Sequence, residues 1–511
     1  MSMNLIGLLI VMIVYLFGMI VIGAIYSKRN NDAGDFYLGG RKLGPFVTAM
    51  SAEASDMSGW LLMGLPGLAY LVGIAEAGWT AIGLAVGTYI NWLIVAKRLR
   101  RYTSIAGNAI TIPDFFKNRY RDNSNLLLIV SAIFIVVFFV PYTASGFAAC
   151  GKLFSTVFGI EYFPVMVIAA IVIVAYTTLG GFLAASTTDF IQSIVMTIAL
   201  IIVLGFGIKV AGGLDAVMAN AHSLTGYFSL FEVHDPAANT MTSYSGLTIF
   251  STVAWGLGYF GMPHILLRFM AIEDENKLKL SRRVASIWVV IAMFIAIAIG
   301  LVGRAMTAAG AIDMLNSADS EKIIIKIAVL LSEHGWIAVI AAGVILSGIL
   351  ASTMSTADSQ LLAASSSVSQ NILKDAAKIK FAEKHGVLFA RLTVIAIAVV
   401  AIFLAKNPDS SVFRIVSFAW AGFGAAFGPV MLFSLFWKRS NRWGALAGMI
   451  VGGVMVFVWT FAIRPLGGAW DIYELAPAFI LACIAIIVVS LLTKAPSEEI
   501  VKEFESVKEK K

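Results

Sequence analysis

The chain has 511 residues, of which 59% are hydrophobic and only 13% charged. That composition excludes an ordinary soluble domain, and the formal net charge of +7 reads as membrane topology rather than nucleic-acid binding. Cys150 and Cys483 lie far apart in apolar runs, so they read as buried thiols and say little about redox compartment.

An apolar helix needs roughly 20 residues to cross the hydrocarbon of a bilayer. In chain order the sequence predicts thirteen spans, roughly 5–26, 44–72, 75–96, 124–155, 162–180, 186–211, 246–270, 282–308, 334–373, 386–405, 411–437, 443–463 and 472–493. The first has no Lys or Arg before it and no small-residue cleavage site after it, so it reads as a retained span. An odd number of spans puts the termini on opposite sides. Of the 37 Lys and Arg, 29 gather at the joins of one face, and the long connection 212–245 holds none. The positive-inside rule then predicts an outside N-terminus and a cytoplasmic C-terminus. The 17 residues beyond Lys494 carry mixed charge and read as a solvated or lipid-surface tail.

Span 2 carries the stretch Ser51-Ala52-Glu53-Ala54-Ser55-Asp56-Met57-Ser58-Gly59-Trp60, followed by Gly64, Pro66 and Gly67. A carboxylate at bilayer depth costs several kcal/mol, so it is expected to face a cavity or a partner. Glycine and proline weaken helical hydrogen bonding there, and broken backbone at that depth is tolerated only inside protein or along a polar cavity. Span 7 breaks similarly at Trp255-Gly256-Leu257-Gly258-Tyr259-Phe260-Gly261-Met262-Pro263. Spans 2–6 and 7–11 therefore form two five-helix units, each opening on an interrupted helix. Because five is odd, the second unit enters from the opposite side, giving an inverted repeat. Corresponding breaks in two halves point to a transporter site.

The chain then divides into a peripheral first helix and loop (1–43), a first repeat (44–211), an external connection (212–245), a second repeat (246–437), and two C-terminal helices with a cytoplasmic tail (438–511). The fold class is all-α, polytopic in the membrane.

Span 9 adds Ser352, Ser355, Thr356 and Ser359, which fall at i, i+3, i+4 and i+7 and make one polar stripe. Hydroxyls in membrane helices usually bond their own backbone or a neighbour. This stripe is dense, and with carbonyls freed by a broken helix it would suit a hard cation. Trp255 and Tyr259 project from one face of span 7, where, beside Gly256, Gly258 and Gly261, they would wall a cavity suited to a small apolar ring. No Arg or Lys sits at the breaks, so free helix N-termini would hold a carboxylate. The five histidines show no metal-ligand spacing, and neither HExxH nor G-x-S-x-G occurs, which argues against an enzyme.

These residues carry a resemblance. Gly159 through Tyr176-Thr177-Thr178-Leu179-Gly180-Gly181-Phe182-Leu183-Ala184, and Arg439, Gly444-Ala445, Gly448 and Gly452, resemble two patterns of the sodium/solute symporter family. The stretches 55–67, 255–271 and 354–356 resemble its proline-transporting branch. The resemblance runs through all the spans in order. It implies sodium-coupled import of L-proline across a bacterial cell membrane by alternating access, with both ligands bound near the midplane. The implied sodium ligands are main-chain oxygens of Ala54, Met57 and Ser352 and the hydroxyls of Ser355 and Thr356. Ser58, Gly59, Trp60, Tyr142, Trp255, Gly258, Tyr259 and Pro263 are the implied proline site. Asp56 and Asp189 match family carboxylates, with Asp56 expected to set local potential and orient helix ends. Glu53 matches no family acid and is expected either to face a neighbouring helix or to be protonated. The alternatives are another small sodium-driven solute or a transporter-derived sensor, and the latter would add a signalling domain. The implied partners are L-proline, sodium and the lipid bilayer, with no nucleic acid and no obligate protein partner.

Overall fold

The computed structural model describes residues 2–379, 385–407 and 411–508, the side chains of 317 and 318 aside. The protein is nearly all helical, and ten of its described helices are long and apolar enough to cross a membrane. Two shorter apolar segments, Trp60–Val72 and Gly246–Phe260, mark the interrupted spans.

α1 (Met3–Ser27) starts at Ser2, whose hydroxyl accepts the Leu5 N–H, and most of its apolar side chains face outward. α2 (Pro45–Asp56) has proline at its first position and stops at Met57, whose ψ of 64° leaves the helical region. A wide turn over Trp60–Gly64 then leads into α3 (Leu65–Val72), which ends at Gly73. The chain continues as α4 (Ile74–Ile105) and, after a short surface helix Ile112–Arg119, as α5 (Leu126–Phe158).

α6 (Tyr162–Val210) has 49 residues. Straight, it would run about 73 Å, more than twice a hydrocarbon core of about 30 Å. Gly181, at φ 62° and ψ −155°, breaks it. Tyr176 before the break donates to Asp358, and Asp189 beyond it reaches Arg268, which also donates to Ser359. The two arms therefore lie side by side against one part of the molecule. The Cβ of any other residue at Gly181 would meet the Phe36 carbonyl oxygen at 2.9 Å, so space and backbone both demand glycine.

The second interrupted span runs through α7 (Gly246–Val253), a tight 3₁₀ stretch Ala254–Phe260, and α8 (Pro263–Ala271). There Gly256 lies against Gly83 and Gly87 of α4, close enough that a Cβ on it would fall 2.2 Å from the Gly83 oxygen. The remaining long helices are α9 (Leu278–Ala308), α10 (Trp336–Ser366), α11 (Gly386–Leu404), α12 (Val412–Phe436), α13 (Arg442–Val458) and α14 (Leu475–Leu492). α10 is buried at every residue from Ile345 to Ser366, and with α12 it forms the centre of the bundle.

Two regions depart from a simple loop reading. The 212–245 connection folds into a helix, Leu214–Ser223, and a hairpin pairing Glu232–Asp235 with Thr240–Ser243. It is pinned to the α3–α4 turn by the Ile74 N–H donating to Tyr227 O at 3.0 Å and Trp79 Nε1 to Leu230 O at 2.8 Å. The tail forms α15 (Glu498–Ser506), capped by Ser497, and Phe504 is fully buried beside Arg98, Arg119 and Tyr102. An amphipathic helix with one apolar face docks on protein here, rather than lying free in solvent or on lipid.

Candidate functional site

The break after α2 meets α10 in a cluster of oxygens. Ser355 Oγ donates to the Ala54 carbonyl at 2.7 Å and approaches Ser352 O at 3.2 Å. Thr356 Oγ1 also donates to Ser352 O at 3.2 Å. Ala54, Ser352 and Ser355 have no solvent exposure, and Thr356 and Met57 almost none. Two helices more than 300 positions apart are thus joined through neutral oxygens, and the donating hydroxyls of Ser355 and Thr356 keep lone pairs of their own. Met57 sits at the helix end, its N–H held by Glu53 O at 2.8 Å. Such a set suits a hard monovalent cation bound by oxygens. Among the described residues no group of three His, Cys, Asp or Glu could hold a transition metal.

Beside it lies the aromatic region. Asp56, Met57, Trp60, Tyr142, Trp255 and Trp420 enclose a cavity of only about 10 Å³. A second of the same size, lined by Ser58, Gly59, Tyr142, Thr353, Thr356 and Gln360, adjoins it through Tyr142. Each has room for about one water. The rings are packed together: Trp60 and Trp255 centroids lie 6.1 Å apart, Trp255 and Tyr473 5.1 Å, and Trp420 Nε1 donates to Trp255 O at 2.7 Å. A Cβ on Gly258 would fall 1.9 Å from Trp420 Nε1, so this close contact also depends on glycine. Tyr259 stands behind the wall, its hydroxyl donating to Asp56 Oδ2 and its carbonyl accepting from Asn91. Pro263 begins α8 and lines neither cavity.

The α2 break carries several N–H groups outside regular helix. Ser58 engages them itself: Trp60 N–H donates to Ser58 Oγ at 3.2 Å and Leu61 N–H to Ser58 O at 3.0 Å. Tyr142 OH lies 3.5 Å from the same Ser58 hydroxyl. Above the aromatic wall opens a vestibule of about 710 Å³, lined by residues including Glu76, Arg414, Arg464 and Glu474. Trp255 lines both the vestibule and the inner cavity. It is the partition between them.

A third cluster is built around one buried ion pair, Arg268 with Asp189. Arg268 donates from Nη2 to Asp189 Oδ2 at 3.0 Å and to Ser359 Oγ, from Nε to Ser51 Oγ at 3.0 Å, and from Nη1 to His264 O at 2.9 Å. Ser51 donates to the same Asp189 oxygen at 2.6 Å, and Asp358 accepts from Tyr176 and Ser359. This knot joins α2, α6, α8 and α10. Of its members the sequence reading singled out Asp189 and the Ser359 stripe position, named Tyr176 only within a family pattern, and gave no role to Arg268 or Asp358. A lone Arg in the apolar run of span 7 was the available signal. Glu53 faces α4: its Oε1 accepts from Trp92 Nε1 at 2.9 Å and Thr88 Oγ1 at 3.2 Å.

On the charged face of the protein, Asp114, outside the spans, accepts from Nδ2 of Asn371 near the end of span 9 at 2.6 Å. Burial and the nearby Asp375 push the Asp114 carboxyl up to about 6.

Residues 36–452 match the profile of the sodium:solute symporter family. The chain is 44% identical over 503 residues to the sodium/proline symporter of Haemophilus influenzae, covering 97% of each. It is 43% identical over 505 residues to the sodium/proline symporter of Escherichia coli, covering 97% of this chain and 95% of that one. With the osmoregulated proline transporter OpuE of Bacillus subtilis it shares 42% identity over 485 residues, 95% and 94% of the two chains. Among solved structures, an outward-open Na+-coupled sialic acid symporter superposes with a TM-score of 0.78 at 18% identity, over 96% of this chain and 99% of that one. Mhp1, a nucleobase-cation-symport-1 transporter in a closed conformation, gives a TM-score of 0.54 at 15% identity, over 93% and 99%. At such identities these two speak for the fold alone.

Proposed function

Since the chain belongs to the sodium:solute symporter family, we propose that it imports L-proline together with sodium by alternating access. It is a multi-pass membrane transporter rather than an enzyme. The observation that carries the reading is the meeting of Ala54 O, Ser352 O, Ser355 Oγ and Thr356 Oγ1 where α2 breaks, with Thr356 also lining the small cavity that adjoins the aromatic one through Tyr142.

In this reading sodium is a transported ion, held by those oxygens with the Met57 carbonyl as a fifth. Proline binds between Trp60, Tyr142 and Trp255, its ring against the aromatic faces. Its carboxylate takes the place of the Ser58 oxygens that now engage the Trp60 and Leu61 N–H groups. Gly59 and Gly258 let backbone and Trp420 come close. Tyr259 and Pro263 act from behind, Tyr259 by fixing Asp56, which orients the helix end, and Pro263 by starting α8. Asp189 serves through Arg268.

The same reading divides α6 at Gly181 and counts each interrupted segment once, which gives thirteen spans. Spans 2–6 and 7–11 are the two halves of an inverted repeat, 44–211 and 246–437, with breaks in the first helix of each. The 29 basic residues at one face support a cytoplasmic C-terminus and an external vestibule. A cavity too small for proline, below a vestibule that could hold it several times over, corresponds to a conformation closed around the centre. Trp255 must swing aside for substrate to pass.

The driving force suffices. One charge across about 100 mV and a tenfold sodium gradient together supply about 3.7 kcal/mol, enough for a few-hundred-fold accumulation at one sodium per proline. Purified protein in proteoliposomes should accumulate labelled proline when sodium is imposed outside, and not with potassium in its place. Accumulation indifferent to sodium would overturn the reading.

A further inference from the structure

The transport reading leaves a cleft of about 500 Å³ unused at the end of the molecule remote from the vestibule. It lies where α1 ends and α2 begins, walled by Tyr26, Lys28, Arg29 and Lys42 with Val47 and Leu183 beneath. No carboxylate lines it. Several basic residues on this face are paired, Arg101 with Glu275, Arg121 with Glu503, Lys277 with Glu273 and Lys438 with Glu505. Lys28, Arg29 and Lys42 take part in no ion pair among the described residues. Arg29 stands over the Tyr26 ring at 5.0 Å. The carboxylates nearest in sequence bond neutral donors: Asp32 caps the Asp35 N–H, and Asp35 Oδ2 accepts from Asn31 at the cleft's edge. Arg41 points away, donating to Asn108, Thr103 and the carbonyls of Met270 and Ala109.

The cleft continues into lipid-facing surface. On α1 the side chains of Phe17, Val21 and Ile25 are exposed and lead down to it, and Phe46 beside Val47 is 52% exposed. A basic cleft capping an apolar row matches a ligand with an anionic head and hydrocarbon tails, rather than a free anion. Basic pockets at the cytoplasmic ends of membrane helices attract such headgroups.

We propose that this cleft binds the headgroup of an anionic phospholipid of the cytoplasmic leaflet, with its acyl chains along α1. The proposal rests on the orientation given above and is independent of the substrate. It has a consequence for the transport machinery. The adjoining Leu43 receives and gives backbone hydrogen bonds at the end of α8, its N–H to Ala271 O at 3.1 Å and its carbonyl from Glu273 N–H at 3.0 Å. A headgroup held by Lys28, Arg29 and Lys42 therefore ties α1 to the inner ends of both interrupted helices.

Native mass spectrometry and thermal unfolding of the purified full chain, titrated with dioctanoyl phosphatidylglycerol or dioctanoyl phosphatidylcholine, test this. Phosphatidylglycerol should be retained and raise Tm, while phosphatidylcholine should do neither. Each cation removed should cost roughly fivefold in affinity, so K28Q/R29Q/K42Q should lower it on the order of a hundredfold. A charge-matched control on the same face, K97Q/K494Q/K502Q, should leave it unchanged. Should the triple variant not fold, K42Q alone should still show the roughly fivefold loss. Equal retention of the two lipids, or equal loss in the control, overturns the site. Full competition by inorganic phosphate at matched concentration overturns the lipid assignment in favour of a free-anion site.

Discussion

Two buried polar clusters sit in the same bundle, and they are built on opposite principles. The Asp189–Arg268 knot is charged, and Arg268 donates to four different oxygens around it. The Ala54–Ser352–Ser355–Thr356 cluster is neutral, its carbonyls bonded by hydroxyls that could turn to another partner. Removing ions from water costs several kcal/mol apiece, so a buried charge persists only with its counter-charge and hydrogen bonds in place. The knot holds its Arg268–Asp189 ion pair without any ligand, with Asp189 Oδ1 left without a hydrogen-bond partner among the described residues. Neutral oxygens carry no such demand and leave lone pairs to offer. In the proposed reading, a permanent brace and a vacatable ion site are thus distinguished by whether the protein supplies the balancing charge itself.

The largest effect should come from breaking that balance. Arg268→Ala leaves Asp189 buried without its cation and should destabilise the protein by about 3–5 kcal/mol, read as a large fall in Tm and in protein recovered from the membrane. A variant as stable as the parent would show that the knot is no brace.

Trp255→Ala opens the partition between vestibule and cavity. Proline affinity should fall by about 1–3 kcal/mol, roughly ten- to a hundredfold, with sodium affinity at saturating proline much less changed. Unchanged proline binding would make this aromatic stack mere packing.

Asp114 supplies an intermediate case, a carboxyl near another carboxyl, Asp375, with its value raised to about 6. The folded protein holds its proton more tightly than the unfolded chain. Its stabilising contribution is therefore complete below the ordinary carboxyl value of 3.8 and is lost as pH rises through about 6. Asp114→Asn keeps the shape without the charge and should flatten Tm between pH 5 and 7.5, with a gain of about 1–2 kcal/mol at the upper end. An identical pH profile in the two proteins would contradict the compensation rule that separates the clusters.

The smallest stability change, and the most specific, belongs to the neutral cluster. Ser355→Ala or Thr356→Ala should cost about 1 kcal/mol or less in Tm measurements, yet weaken the sodium dependence of uptake severalfold. Lost expression with normal sodium dependence would identify these hydroxyls as packing groups only.

Much of this was legible in the chain, for local reasons. Glycine and proline placed both breaks, because what they do to helical hydrogen bonding needs no tertiary context. The hydroxyl stripe of α10 follows from helical spacing, and the oxygens of Ala54, Ser352, Ser355 and Thr356 do come together. What stayed hidden depends on long-range pairing. Arg268 and Asp189 lie 79 positions apart, and nothing local tells an arginine in an apolar run which acid it meets. Trp420, on α12, joins Trp255 only through the packing of the bundle. The burial of Phe504 likewise turns a tail that reads as solvated into a docked helix, because its partners Arg98, Arg119 and Tyr102 lie some 400 positions away. Nor does the sequence give the size of the closed cavity, which reflects the conformation rather than the residues lining it.

The central claim is that one break, at the end of α2, serves ion and substrate together. Ala54 belongs to the oxygen cluster, while Ser58, which engages the Trp60 and Leu61 N–H groups, lines the cavity. Fixing either side of this turn fixes the other. Equilibrium binding of proline and sodium to the purified protein, each titrated at several fixed concentrations of the other, measures the coupling directly. Sodium should tighten proline binding, and proline should tighten sodium binding by the same factor, as thermodynamic linkage requires. Proline bound equally tightly with and without sodium would contradict the shared break.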